Sequence, residues 1–230
     1  MPITSIPPVP NPVRVITFFD GQNFFNQAKR AFNSSWPDYD PIKLSEFYIS
    51  RYPNNNLVQV RFYTGVPLYS KDSNKNLFWR AKLAQHSKDP RFIPITRYLS
   101  YHDEEIVVED PTTGQAIRRV VEIPREKGID VRIALDLLQL AFKDFDVGVI
   151  FSQDKDLLEA VNDLVKIRNT GGQWLRIDTA FCYDPALPRH FRIGLQNTTW
   201  FRFDRAAYTA CKDPNDYRPK TPPPGSLFSP

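Results

Sequence analysis

The run Val13–Phe19, broken only by Arg14 and Thr17, ends on Asp20-Gly21. So short an apolar stretch, rich in β-branched and aromatic residues, predicts a strand buried on both faces rather than a helix. Gly21 turns the chain, and Gln22–Phe32 follows with a helical pattern. A buried strand handed directly to a helix is the opening of a parallel α/β unit, and it puts Asp20 at the C-terminal end of the strand. Open parallel sheets carry their sites at that end. The same order returns at Val147–Phe151, which is fully apolar. Ser152-Gln153-Asp154-Lys155-Asp156 and a helical pattern over Leu157–Ile167 follow it.

Between and beyond these two units the pattern keeps alternating. Pro41 suits the first turn of a short helix running to Ser50. Leu57–Thr64 predicts a strand ended by Gly65 and Pro67. Lys75–His86 predicts a helix with Leu77, Phe78, Ala81 and Ala84 on one side, and Phe92–Ser100 a further strand. Residues 104–123 differ: Glu105–Asp110 and Ala116–Ile123 flank Pro111-Thr112-Thr113-Gly114, a β-hairpin signal read as an insertion beside the main sheet. Ile129–Phe142 is the clearest helix, and Gly171-Gly172 ends the helix begun at Leu157. Trp174–Thr179 and Thr199–Phe203 are late strands, with a short helix around Pro188–Gly194. The expectation is a three-layer α/β/α domain with a mainly parallel central sheet over residues 13–211 and a hairpin at about 104–123. A proline-rich arm, 1–12, would precede it, and a tail, 212–230, containing Pro222-Pro223-Pro224, would follow.

Several classes are disfavoured by composition. No apolar run approaches a membrane span, and the first residues lack the basic and apolar regions of a secretory signal. Cys182 and Cys211 form neither a zinc pattern nor a disulfide framework, so a reducing cytoplasm is the simplest expected home. The net charge is +4, but Arg51–Tyr101 holds nine Lys/Arg against only Asp72 and Asp89. That segment is therefore about +7 and the remainder about −3. An acidic centre beside a basic segment suits an enzyme acting on a polyanion; a solvated basic face accounts equally well for the surplus. A homo-oligomer is compatible with the composition, and no residue pattern specifies one.

Two more carboxylate clusters accompany Asp20: Glu126-Lys127-Gly128-Ile129-Asp130, opening a helix, and Asp154 with Asp156, closing a strand. On a helical wheel Asp130 falls with Ile133, Ala134, Leu137, Leu138 and Ala141, a costly direction for a carboxylate without a partner. Its position near the helix N-terminus offsets part of that cost, and a plain capping role competes with a site role. Asp136 falls on the far side, as a solvated residue or a partner for Arg132 or Lys143. In a parallel sheet Asp20, Asp130 and Asp154 would converge on one edge, where a cation would relieve their repulsion. Hard carboxylate oxygens suit Mg²⁺ or Mn²⁺. Asn23, one turn into the first helix, would orient Asp20 or a metal-bound water by hydrogen bonding, or simply cap the helix.

Phe19-Asp20-Gly21-Gln22-Asn23, Glu126-Lys127-Gly128-Ile129-Asp130-Val131 and Ser152-Gln153-Asp154-Lys155-Asp156-Leu157 together resemble the three signature blocks of the NYN family. That family includes the LabA-like proteins and is related to PIN-domain ribonucleases. The resemblance covers about Val13 to Thr179. It implies a PIN-like α/β/α fold, an acidic Mg²⁺/Mn²⁺ pocket and RNA as the usual substrate. By the same resemblance Asp20, Asp130 and Asp154 are the core acids, and Asp156 and Asn23 are supporting positions. Gln153 is a departure, since the family often has Gly there.

The activity this implies is metal-dependent hydrolysis of RNA, leaving a 5′-phosphate and a 3′-hydroxyl, with no histidine required as base. Arg61, Arg80, Lys82, Arg118, Arg119, Arg125 and Lys127 are candidates for phosphate contacts. Tyr63, Phe78, Trp79 and Tyr101 are candidates for base stacking, although core packing is the stronger expectation for most of them. His86, His102 and His190 read as structural or exposed. The competing reading is a non-catalytic RNA-binding or regulatory module with a residual metal site. A haloacid-dehalogenase-type phosphatase wants a second aspartate where Gln22 stands, and a dinucleotide-binding fold wants a glycine-rich turn that is missing after the first strand.

Overall fold

The computed structural model describes residues 7–109, 115–170 and 173–220. Its strands are β1 (Val13–Asp20), β2 (Asn55–Val66), β3 (Phe92–Tyr98), β4 (Ser100–Glu109), β5 (Ala116–Arg125), β6 (Val147–Phe151), β7 (Arg176–Cys182) and β8 (Thr199–Phe203). Its helices are α1 (Gly21–Phe32), α2 (Pro41–Ile49), α3 (Ser73–His86), α4 (Ile129–Ala141), α5 (Leu158–Thr170) and α6 (Arg205–Ala210). Six strands form one sheet in the order β3-β2-β1-β6-β7-β8, and every neighbouring pair is parallel.

The apolar runs explain the layers. In β1, Val13, Val15 and Phe19 join a core with residues of α1, α2 and α6, whereas Ile16 and Phe18 join a second core with α4 and α5. Alternate side chains of one strand thus serve opposite faces, as a sheet covered on both sides requires. Phe19 stacks on Phe151 of β6 with ring centroids 3.8 Å apart, locking the two central strands together at their C-terminal ends.

The helix starts follow local chemistry. Asp20 caps α1 through the Asn23 N–H, and Asp40 caps α2 through the Ile42 and Lys43 N–H groups, with Pro41 in the first turn. Gly128, at φ +71°, precedes α4 in a left-handed conformation that favours glycine.

Several expectations are revised. β4 and β5 are longer than expected and, among the described residues, pair only with each other, as a separate antiparallel ribbon. Leu77, Ala81 and Ala84 of α3 are exposed; its inward face is Asn76, Phe78, Lys82 and His86. Polar groups are tolerated there because each finds a distant partner: Asn76 Nδ2 donates to the Pro67 carbonyl, and Lys82 and His86 meet Asp213. Asp213 belongs to the expected tail, yet the chain as far as Lys220 is described, and this part docks. Asp213 N donates to the Asp38 carbonyl, and Tyr217 packs edge-on against Phe78. α6, capped by Asp204, was not expected. The Pro111–Gly114 turn, the Gly171-Gly172 helix stop, Pro222–Pro224 and the first six residues of the arm lie outside the described residues.

Candidate metal centre at the sheet edge

The strand order has one reversal. The chain runs outward from β1 to β2 and β3, then returns to place β6 on the other side of β1 and runs outward again. The connections leaving β1 and β6 therefore diverge, opening a crevice at their C-terminal ends, the position where open α/β sheets bind ligands. Asp20 is the last residue of β1, and Ser152-Gln153-Asp154 follows β6 directly. α4 brings Asp130, in its first turn, to the same place. One carboxylate oxygen from each of Asp20, Asp130 and Asp154 lies within 4.8 Å of the others.

Neutral donors hold this group in shape. The Asn23 N–H donates to Asp20 Oδ1 at 2.9 Å, and the Ser152 hydroxyl donates to Asp20 Oδ2 at 3.1 Å. Ser152 Oγ in turn accepts from Asp154 N at 3.0 Å. Asn23 does not touch the Asp20 carboxylate with its side chain. Its Oδ1 instead accepts from Gln27 Nε2 at 2.7 Å and from Gln153 N at 3.0 Å, tying α1 to the loop after β6. Asp154 Oδ1 accepts from Asp156 N at 3.0 Å. Asp156 is exposed and stands outside the group of three.

A fourth acid, Glu126, adjoins the site and was not singled out as a site residue. Its carboxylate accepts from Gly65 N, and a side chain on Gly65 would collide with it and with Leu99. The close approach of glycine lets the root of the β4–β5 ribbon press against β2. Only the spacing of Glu126 to Asp130 in the sequence hinted at this.

Electrostatics here run against ionisation. Burial pushes the Asp20 carboxyl up to about 7, with negative charge on Glu126 and Asp130 adding to it and the Asn23 and Ser152 donors opposing. Burial likewise raises Glu126 to about 7 against the Gly65 N–H, and Asp130 adds to the shift. Asp130 is raised by burial, then by Asp154 and Asp156. No cationic side chain among the described residues forms an ion pair with any of these four acids. Three hard oxygen donors without a counter-charge fit a divalent cation of the Mg²⁺ or Mn²⁺ kind.

The basic candidates sort differently. Lys82 is 1% exposed, donating to the Tyr39 carbonyl at 2.7 Å and pairing with Asp213, so it is not available to a phosphate. Arg61 is committed to Asp136 at 2.6 Å and to Tyr63. Asp136 is buried rather than solvated, and the wheel missed it because Arg61 and Tyr63 reach it from β2; Arg132 does pair with it, as one reading expected. Arg118 and Arg125 are exposed and pair with Glu105 and Glu104 on the ribbon. Arg80, Arg119 and Lys127 are exposed. Arg97, overlooked in the sequence, lies over Gly128, where an added Cβ would sit 2.7 Å from its guanidinium. Of the aromatic candidates, Tyr63 and Phe78 are buried, Trp79 packs partly against the core, and Tyr101 accepts from Leu68 N beneath Lys71. His86 is buried against Asp213. Both cysteines are buried and free. No described helix is long and apolar enough to cross a membrane.

Fold and site together define a parallel α/β protein with a cluster of three carboxylates able to hold a metal ion. A family model of the NYN domain matches residues 14–170, and the chain belongs to that family, within the PIN-like nuclease superfamily. No curated protein shows significant similarity to the chain. Among solved structures, one of a protein of unknown function from Vibrio parahaemolyticus is similar at 15% identity and a TM-score of 0.47, covering 83% of this chain and 93% of that one.

Proposed function

We propose that the protein is a metal-dependent ribonuclease that hydrolyses RNA phosphodiester bonds at the Asp20–Asp130–Asp154 group. The observation that carries this reading is the gathering of three carboxylates, from three separate chain segments, at the switch point of the sheet with no cationic partner among the described residues. Asp20, Asp130 and Asp154 would hold Mg²⁺ or Mn²⁺. Bound there, the cation would make water more acidic and offset charge on the phosphoryl oxygens.

The remaining roles belong to the chain itself. Ser152 and the Asn23 N–H fix the Asp20 carboxylate, and the Asn23 side chain fixes the loop that carries Asp154. Glu126, held by the Gly65 N–H and itself resisting ionisation, opposes charge on Asp20 once it has lost its proton. Asp156, exposed beside Asp154, is assigned to holding water or a second cation. Arg97 and Lys127 flank the start of α4, and Arg118, Arg119 and Arg125 line the ribbon; these supply phosphate contacts along an RNA strand.

The test is incubation of purified protein with end-labelled single-stranded RNA in Mn²⁺, Mg²⁺ or EDTA, beside Asp20→Asn and Asp154→Asn. Cleavage that needs metal and both aspartates, with 5′-phosphate and 3′-hydroxyl ends, is expected. Cyclic-phosphate ends, or full activity in both variants, would contradict the assignment. RNA binding without cleavage would favour the regulatory module.

A further inference from the structure

We propose that Arg189–Ile193 is a nucleotide-binding element of the same site, taking one nucleotide of single-stranded RNA with its base against Phe191 and a phosphate against Arg192 and Arg30. This rests on the ribonuclease reading and assigns that site a substrate contact lying beyond the family-matched residues.

The first support is mechanical. Gln153, between Ser152 and Asp154, sends its side-chain amide to the Phe191 carbonyl at 3.1 Å and to the Ile193 carbonyl at 2.7 Å. Its backbone N–H is already held by Asn23. The segment is thus fastened to the loop that bears Asp154 through one side chain. A glycine at this position would have no such amide to offer.

The second support is chemical. Arg189-His190-Phe191-Arg192 sets two cations and two rings side by side, and Arg189 and His190 are exposed. Phe191 is half-buried and belongs to neither core. Its ring lies 4.0 Å from that of His190 and 4.6 Å from the Arg30 guanidinium on α1. An aromatic group left out of the core beside guanidinium groups is the composition of a single-strand stacking platform.

The third support is an unmet need. Arg192 makes no ion pair among the described residues, and its Nε is buried with no hydrogen-bond partner. Nε is closed to solvent, so the half-buried Arg192 side chain would turn to bring its guanidinium, which has no counter-charge among the described residues, onto a phosphate oxygen. Cations here also offset the repulsion that the acidic pocket would exert on a polyanion.

The test measures binding in EDTA by fluorescence anisotropy. The probes are a labelled oligouridylate of about twelve nucleotides, within the range single-strand sites span, and an abasic ribose-phosphate oligomer of equal length. Phe191→Ala and Phe191→Leu are expected to weaken oligouridylate binding about tenfold and abasic binding less than about twofold, because stacking needs a base. Arg192→Gln should weaken both and lower the salt slope by about one. Gln153→Ala should weaken oligouridylate binding in part, through loss of the anchor. Melting temperatures near wild type establish that the variants are folded, and the Leu variant retains apolar bulk if Ala does not fold.

Oligouridylate affinity within about twofold of wild type in both Phe191 variants would overturn the proposal, given what a stacked base contributes. So would an equal loss on the abasic oligomer, or no RNA binding by the wild type. Cleavage by wild type and Asp20→Asn in Mn²⁺ is scored in parallel. Phe191-dependent binding without cleavage removes the hydrolase reading and keeps this site as an RNA contact. Asp20-dependent cleavage with unchanged affinity in the Phe191 variants removes only this site.

Discussion

Asp136 and Asp20 are equally buried, at 2% and 3% exposure, and stand in opposite circumstances. Asp136 receives Arg61 and Arg132 at 2.6 Å each and the Tyr63 hydroxyl at 2.7 Å. Asp20 receives one N–H and one hydroxyl, and its charged neighbours are Glu126 and Asp130, both negative. A third acid, Asp213, whose side chain is covered, is held well below the usual carboxylate range by His86 and Lys82 against the effect of burial. Acids that brace the fold are thus met by cations, and those at the switch point meet none among the described residues. Burial alone does not mark a site; burial with like charge and no counter-charge does.

The largest expected effect tests the braced side. Asp136→Ala leaves Arg61, itself mostly buried, without its partner, and should cost on the order of 3–5 kcal/mol in urea unfolding. A loss near zero would mean that the Asp136 cluster is no brace, and the contrast with Asp20 would collapse.

Next comes Asp20→Asn, with the opposite sign. An amide at this position removes a carboxylate that resists ionisation, so without metal the variant should be more stable than wild type at pH 8, by about 1–2 kcal/mol. Loss of stability there would show that the Asp20 charge is compensated after all.

A graded effect follows with pH. Between about pH 4 and pH 7 the folded protein keeps protons on Asp20 and Glu126 that the unfolded chain has released. Protons bound in excess by the folded state make stability fall as pH rises through that window. Metal-free thermal melts should show this decline, and Asp20→Asn should flatten it. A wild-type curve that rises over the window instead would contradict the assigned charge pattern.

The smallest effect belongs to the ribbon. Arg118→Ala and Arg125→Ala remove exposed pairs with Glu105 and Glu104 and should change stability by less than about 1 kcal/mol. A larger change would mean that the ribbon is bonded into the domain more firmly than its two-stranded sheet suggests.

What the sequence disclosed and what it hid follow the same physical line. The parallel sheet was legible because β1 and β6 are continuous apolar runs flanked by Asp20-Gly21 and by Ser152 to Asp156, and Val147–Phe151 and Thr199–Phe203 matched to the residue. The gathering of Asp20, Asp130 and Asp154 was legible because strand ends in a parallel sheet share an edge. Hidden features depend on partners far along the chain. Lys82 looked like a phosphate contact because Asp213 lies 131 residues away. Asp136 looked solvated because Arg61 is 75 residues away. Glu126 was passed over because its donor is the backbone of Gly65, 61 residues distant. The six-residue α6, with no apolar stripe long enough to read, left no periodic signal.

The central claim is that the unpaired carboxylates at the sheet edge hold a divalent cation. The most direct measurement is a Mn²⁺ titration of the metal-free protein, followed by electron paramagnetic resonance of free Mn²⁺ at pH 8 and pH 5.5, for wild type and Asp20→Asn. Saturable binding is expected in the wild type, tighter at pH 8 because the acids must first lose their protons, and strongly weakened in the variant. Equal binding by wild type and Asp20→Asn, or none by wild type at pH 8, would contradict it.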